Sequence, residues 1–433
     1  MARLVRDLPR LVRSPFEVFA GWHHRYGDVV RIPFGQPPHL HLHSPEDIRH
    51  VLMVRHPNYR RTGGERSGSR LLGRGLIRSE GELYRRQHAL IGPSFSRPNL
   101  EKMAGVMARE AAAFLAEVPD GTVDLARAMN VITLRMLVRG QFAADWSGEA
   151  PGLVDDLLTC QRYIHPMTLV VLPRWIPTPA RQKYERAVAR IERAAHSLIE
   201  SRRRDPGSGD DVLSALVQAR DPEGRSLTDT QLRDEVVTML LAGHATTATG
   251  LAWLWHEAMR SPDLLVRLRA EADQVLGPER LPGLAEVRRL ELTAAAFREA
   301  LRLYTPIWGI GRRAIADDRL PSGTTVAAGT IINILPPVVH RRADLFPEPR
   351  EFRPERFLRD TRTLLPAGSF IPFGIGPRSC IGEGFAMLEA GILIGLMVRQ
   401  FDFEPLSEPP VTPETLIVHR PRHGVWARVR RRS

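Results

Sequence analysis

The segment from Thr228 to about Met259 constrains the fold most. It opens with Thr228-Asp229-Thr230-Gln231, a capping box in which the threonine hydroxyl and the Gln231 side chain satisfy free amides at a helix start. After Val236 it is apolar nearly all round, through Leu240, Leu241, Ala242, Leu251 and Leu254. A helix without a polar face is buried on every side. About thirty residues make it roughly 45 Å long, so it needs a large protein around it. Within it lies Ala242-Gly243-His244-Ala245-Thr246-Thr247-Ala248-Thr249-Gly250. Glycine costs a helix about 1 kcal/mol against alanine. Threonine hydroxyls can bond back to carbonyls four residues earlier and bend or open the helix. Two readings stand: a small-residue seam where another helix approaches, or a gap that admits a flat ligand.

The 433 residues are 43% hydrophobic and 25% charged, a globular composition with a large core. Length alone allows two or three domains. Helical spacing nevertheless dominates from Asn99 to Leu290, and strand-like stretches lie near Val29–Leu42 and Thr324–Leu335. That pattern predicts an α+β fold, mostly helical, in one domain. Arg202 to Asp210 reads as a polar surface loop. Only Cys160 and Cys380 are present, which excludes a disulfide scaffold or a four-cysteine zinc site and fits a cytoplasmic protein. The longest clean apolar run, Ala390–Val398, is too short to span a bilayer. Net charge is +12, almost all from arginine, but no cluster is interleaved with aromatics as in single-strand binders. No nucleic-acid partner is expected.

Cys380 carries the chemistry. Phe373-Gly374-Ile375-Gly376-Pro377-Arg378-Ser379-Cys380-Ile381-Gly382 places two glycines and a proline just before a lone thiol, making a rigid loop that can aim amides at its sulfur. A helical pattern begins near Phe385, so the sulfur lies close to a helix N-terminus. Both features favour a thiolate, either as nucleophile or as metal ligand. No nearby histidine offers a base. A single thiolate suits the axial position of a heme iron.

Phe-x-x-Gly-x-Arg-x-Cys-x-Gly resembles the heme-binding loop of the cytochrome P450 family. Three further segments follow the family's order. Glu299-Ala300-Leu301-Arg302 resembles its Glu-x-x-Arg pair, and Phe352-Arg353-Pro354-Glu355-Arg356-Phe357 the segment whose arginine completes that network. Ala242–Thr247 resembles the oxygen-binding part of its long central helix. The resemblance covers nearly the whole chain, read as one domain over residues 1–433 with a shortened proline-rich opening.

The resemblance implies heme b ligated by Cys380, with Arg378 on a propionate, Phe373 packed near the sulfur and Gly382 allowing close backbone approach. Glu299, Arg302 and Arg356 would form a buried structural network. A second propionate arginine is expected at Arg312, with Arg313 the alternative. Leu241, Ala242, Ala245, Ile307, Trp308 and Ile310 would line an apolar substrate pocket. The chain departs from the family twice. Tyr84 and His88 stand where a Trp-x-x-x-Arg element is usual, and both can still hydrogen-bond a propionate. Ala245 replaces the usual acid before the central threonine, so Thr246 keeps the alcohol while protons must come through water, His244 or the substrate. His244 lies about 200° around the helix from Thr246, which disfavours direct contact. It is expected to pack and bond to a neighbouring segment.

The expected function is a monooxygenase that inserts one oxygen atom from O2 into a hydrophobic small molecule such as a terpenoid, fatty acid or polyketide-like compound. Only 53 residues follow Cys380, too few for a flavin or nicotinamide domain. Electrons would therefore come from an acidic ferredoxin or flavodoxin with its reductase, which the basic charge suits. A monomer is expected. Ala245 keeps oxidative coupling, dehydrogenation and isomerisation open, and a heme sensor or carrier is the alternative outside enzymes. His39, His41 and His43 alternate with period two and read as a solvated strand face.

Overall fold

The computed structural model describes residues 11, 14–32, 37–62, 69–164, 178–205, 211–220, 224–277, 281–359, 364–406 and 408–432. Its longer helices are α1 (Pro15–Tyr26), α2 (Gly81–Ile91), α3 (Arg97–Glu117), α4 (Leu125–Phe142), α5 (Ala150–Tyr163), α6 (Pro179–Arg204), α7 (Asp229–Gly243), α8 (Ala245–Met259), α9 (Pro262–Leu276), α10 (Glu291–Leu303) and α11 (Glu383–Gln400). The strands are β1 (Val29–Ile32), β2 (His39–Leu42), β3 (Tyr59–Arg61), β4 (Gly121–Asp124), β5 (Ile310–Ala314), β6 (Asp318–Arg319), β7 (Thr325–Val326), β8 (Ile331–Ile334), β9 (Phe401–Pro405), β10 (Pro413–Thr415), β11 (His419–Pro421) and β12 (Trp426–Arg431). Helices hold 58% of the residues, the α+β balance expected. The chain divides into two compact units, Met1–Ser67 with Leu301–Cys380, and Gly68–Ala300 with Ile381–Ser433.

The first unit is built on a mixed sheet of order β1-β2-β8-β5-β3. β2 pairs antiparallel with β1 (Val29 opposite Leu42) and parallel with β8 (His39 opposite Ile331). Leu40, Leu42, Ile48, Ile332 and Ile334 close the core beneath it. Removing one such side chain typically costs 2–5 kcal/mol, the transfer cost plus a cavity. α1 covers the strands through Trp22 against Val30, and through Phe16 against Leu335 and Val338. This corrects the solvated histidine face. β2 is an inner strand, Phe19 stacks on His41 with ring centroids 4.8 Å apart, and His23 lies 4.9 Å from His43. His41 and His43 are buried. Burial lowers their pKa values to about 4 and about 3, helped by the neighbouring His39 at His41 and by His23 at His43.

In the second unit α8 packs on α4, α3 on α4 and α11, and α9 on α11. Trp253 and Trp255 on α8 are fully buried, and the Trp253 indole donates to the His419 carbonyl at 3.0 Å. β12 lies between β4 and β9. Asp124 caps α4 by accepting from the Ala126 amide at 3.0 Å. The capping box at Thr228 forms as expected: Thr228 N–H donates to Gln231 Oε1 at 2.9 Å, and Gln231 N–H to Thr228 Oγ1 at 3.2 Å. The helix that follows is interrupted, with α7 ending at Gly243 and α8 starting at Ala245. Side chains take over two carbonyls at the break. His244 Nδ1–H donates to Leu240 O at 2.6 Å, and Thr246 Oγ1 to Ala242 O at 2.9 Å. α6 runs through Arg204, so the loop expected from Arg202 begins later, and its residues 206–210 lie outside the described ones. Among the described residues no helix is long and apolar enough to cross a membrane.

Candidate functional site

Local backbone chemistry builds the Cys380 loop. Gly374 and Gly376 have φ of +70° and +79°, a conformation that L side chains resist. A Cβ on Gly376 would also overlap the Leu52 carbonyl. Between them the chain turns tightly: Gly374 N–H donates to Ile371 O at 3.1 Å, Ser379 N–H to Gly376 O at 2.9 Å, and Cys380 N–H to Phe373 O at 2.8 Å. The turn leaves Cys380 exposed, and the chain runs on through Gly382, the N-cap of α11. An exposed thiol on a loop with no freedom left is what metal ligation requires. Phe373 and Arg378 in the same loop are half-buried.

The same unit carries a buried cation that organises its backbone. Arg302 is fully buried. Its Nη1 donates to the carbonyls of His340 and Pro349, each at 2.8 Å, and its Nη2 to Glu351 O at 3.0 Å. Phe346 lies under the guanidinium, 5.2 Å from its carbon. Glu299, one helical turn earlier on α10, is equally buried. Arg356 Nη2 reaches Glu348 O at 2.9 Å, holding the adjoining segment.

Sequence reasoning missed His340. Its Nε2 accepts from Ile371 N–H at 2.9 Å, so its proton sits on Nδ1, 3.0 Å from Thr305 Oγ1. The Thr305 hydroxyl then donates to Leu301 O at 2.8 Å. Burial, with Arg302 nearby, pushes the His340 pKa down to about 3, fixing it as a neutral joint that holds the start of the thiol loop.

On β5 the pleat separates the two candidate arginines. Arg312 is buried and Arg313 half-exposed, with Arg61 opposite the first and Arg60 opposite the second. Ile310 belongs partly to the sheet core, Ile307 is exposed, and Trp308 packs edge-on against Phe16 at 5.9 Å.

In the second unit α7 and α8 are buried except at their outer ends and at one place where they meet. Leu241, Ala242, Gly243 and Thr246 retain exposure amid buried neighbours. A Cβ on Gly243 would overlap Leu137 of α4. The small-residue segment therefore serves both readings: Gly243 makes a helix seam, and Ala242 with Thr246 leaves a shallow open face. Ala245 is buried and brings no exchangeable proton. His244 is fully buried and bonded within its own helix rather than to a neighbouring segment, and burial lowers its pKa to about 4. A neutral imidazole locked that way is a poor proton source. On α2, Tyr84 and His88 stand one turn apart with ring centroids 5.5 Å apart. The thiol loop by itself fits a heme: an exposed cysteine on a turn that two positive-φ glycines hold rigid.

Glu389 also escaped the sequence reading, although a carboxylate inside the apolar run Phe385–Val398 was a signal. It is fully buried on α11, and among the described residues no hydrogen bond of ordinary length reaches either oxygen. Burial raises its pKa well above the ordinary carboxylate range, with only the Thr247 hydroxyl pulling the other way. The folded protein thus keeps a proton that the unfolded chain releases above about pH 4.3. Stability should fall as pH rises from there towards the raised native value, by up to about 1.4 kcal/mol per pH unit. Glu389→Gln should flatten that slope and be the more stable protein at pH 8. Urea midpoints between pH 5 and 9 measure it, and equal slopes for the two proteins would contradict the assignment.

The family profile described as Cytochrome P450 matches residues 5–426. Cyclooctatin synthase of Streptomyces melanosporofaciens is 33% identical over 421 residues, covering 93% of this chain and 88% of that protein. Cyclooctat-9-en-7-ol 5-monooxygenase of the same organism is 32% identical over 390 residues, covering 88% and 83%. Pentalenene oxygenase of Streptomyces avermitilis is 32% identical over 402 residues, covering 92% and 89%. Among solved structures, the crystal structure of the cytochrome P450DA heme domain superposes with a TM-score of 0.87 at 24% identity, over 97% of this chain and 94% of that one.

Proposed function

The chain belongs to the cytochrome P450 family as a heme-thiolate monooxygenase acting on hydrophobic substrates, and from that premise we propose that it oxygenates a cyclic terpenoid hydrocarbon or alcohol. The names of the three Streptomyces relatives carry this choice among the apolar substrate classes. When bound, a heme would supply dioxygen activation, and a thiolate ligand would favour O–O cleavage. The chain's residues then have separate tasks. Cys380 would ligate the iron and its loop holds it rigid, with Phe373 and Gly382 shaping the surroundings. Arg378 and Arg312 bind propionates by guanidinium forks, Arg312 being preferred over Arg313 because it lies on the buried face of β5. Tyr84 and His88 add weaker donors. Glu299, Arg302 and Arg356 keep the supporting backbone in place. Leu241, Ala242, Ile307, Trp308 and Ile310 present apolar surface to the substrate. The 433 residues act as one cytochrome P450 domain in the cytoplasm, taking electrons from a separate acidic ferredoxin or flavodoxin.

Proton delivery distinguishes this chain. Thr246 parks its hydroxyl proton on Ala242 O and can turn it towards the open face, while Ala245 offers none. The proton therefore comes from water or from a substrate hydroxyl held beside Thr246. Purified ferric protein titrated with cyclic terpene alcohols should lose its water-bound spectrum. With a reconstituted redox chain, Thr246→Ala should lower product per NAD(P)H several-fold and raise peroxide. Ala245→Glu should raise coupling for substrates that lack a hydroxyl. Coupling that is tight in the unaltered protein and unchanged by Thr246→Ala would remove this helix segment from proton handling.

A further inference from the structure

The loop leading into α2 is fastened to α7 by main-chain hydrogen bonds to carboxylates. Asp234 Oδ2 accepts from Arg74 N–H at 2.7 Å, and Glu235 Oε2 from Leu76 N–H at 3.0 Å. From α2, Gln87 Nε2 donates to Arg74 O at 2.9 Å. Arg233 ties the arrangement together, giving Nη1 to Asp234 at 2.7 Å and Nη2 to Arg70 O at 3.0 Å and to Glu192. Any side chain at Gly73 would collide with Asp234, and any at Gly75 with Thr238. A loop anchored at this many points presents its next residues rigidly.

Arg78 is one of those residues, three positions before α2 begins. Its amide is used, donating to Gly75 O at 2.8 Å. Its guanidinium is not. Nε and Nη1 are both shut off from water and reach no acceptor among the described residues. The acid that acts on it electrostatically is Asp234, whose oxygens already accept from Arg74 and Arg233. Arg78 as a whole is half-exposed, but dry donors on a guanidinium are ordinarily paired, because leaving a buried donor unmet is costly and more so on a charged group. A rigid loop holding two dry donors on a fixed cation is a receptor for an anion that the described residues do not supply.

We propose that Arg78 receives a carboxylate, through charge-assisted hydrogen bonds from Nε and Nη1. The inference rests on the heme reading above, since it offers two carboxylate sources. One is a heme propionate, for which Arg78 compensates the missing guanidinium at His88 on the following helix. The other is a carboxylate borne by a substrate more oxidised than the hydrocarbon or alcohol proposed above. Planar two-oxygen geometry suits a guanidinium and is lost with lysine.

Arg78→Gln and Arg78→Lys, each purified as holoprotein, separate these sources. The thiolate band of the reduced carbon monoxide complex is recorded first, and its presence keeps the heme assignment independent of this test. Heme transfer to excess apomyoglobin then reads the propionate arm. There Arg78→Gln should release heme about 10- to 100-fold faster, with Arg78→Lys intermediate. Spectral titration with dodecanoic acid and with its methyl ester reads the substrate arm. There unaltered protein should prefer the acid, and Arg78→Gln should erase the preference while heme release stays unchanged. If Arg78→Gln does not fold, Arg78→Lys carries both measurements. Unchanged heme release together with an unchanged acid-to-ester ratio, in folded protein with the thiolate band intact, would overturn the proposal.

Discussion

Replacing Cys380 with histidine should abolish the strongly red-shifted absorption of the reduced carbon monoxide complex, leave some heme bound, and lower product formation at least about a hundredfold. The physical basis is narrow. Cys380 is one of two cysteines, and the other, Cys160, is fully buried with its thiol pushed up to about 12 by burial and by the Asp156 charge. Cys160 can neither ionise near neutral pH nor reach an iron from a helix interior. Cys380 is exposed on a turn whose positive-φ glycines fix its backbone. Imidazole is neutral and donates less electron density than thiolate, so the electronic push is lost while ligation can persist. The difference spectrum decides the matter: a red-shifted band surviving in Cys380→His would place the ligand elsewhere. Cys160→Ala should leave the band untouched.

Arg302→Ala should be the most damaging substitution away from the iron. Its guanidinium satisfies three main-chain carbonyls from three separate positions, 340, 349 and 351, in a fully dry environment. Alanine would leave those carbonyls without their donor and open a void beside Phe346. Breaking such a buried arrangement typically costs about 3–5 kcal/mol, a large part of the 5–15 kcal/mol that keeps a protein folded. Soluble yield and heme content per protein should collapse together. Arg302→Lys preserves the charge and tests whether charge alone matters. A lysine ammonium is a point donor and cannot span three carbonyls, so this variant should still lose heme content and lower the urea midpoint. A lysine variant as stable as the parent would reduce the residue's role to its charge.

What the amino-acid sequence determined by itself is whatever a few neighbouring residues settle. The capping box at Thr228 forms because both partners lie within one helical turn. The thiol loop forms because two glycines accept positive φ just before a proline, and Glu299 and Arg302 share a helix face because three residues make nearly one turn. The family membership was legible for the same reason, since its motifs are short and local. Tertiary structure alone decided the rest. His39, His41 and His43 have the alternation of a wet strand face, and only α1 packing over β2 turned two of them into buried neutral rings. Which of Arg312 and Arg313 is buried depended on which side of β5 met the core. His340 had no local signature, because its partners Thr305 and Ile371 lie 35 and 31 residues away. Arg78 looked like any loop arginine until Asp234 and Glu235, far along the chain, fixed the loop that carries it. Hydrogen bonds within a turn depend on residue type and spacing alone. Burial depends on what arrives from elsewhere, and it decides which polar groups stay charged and which are left waiting for a ligand.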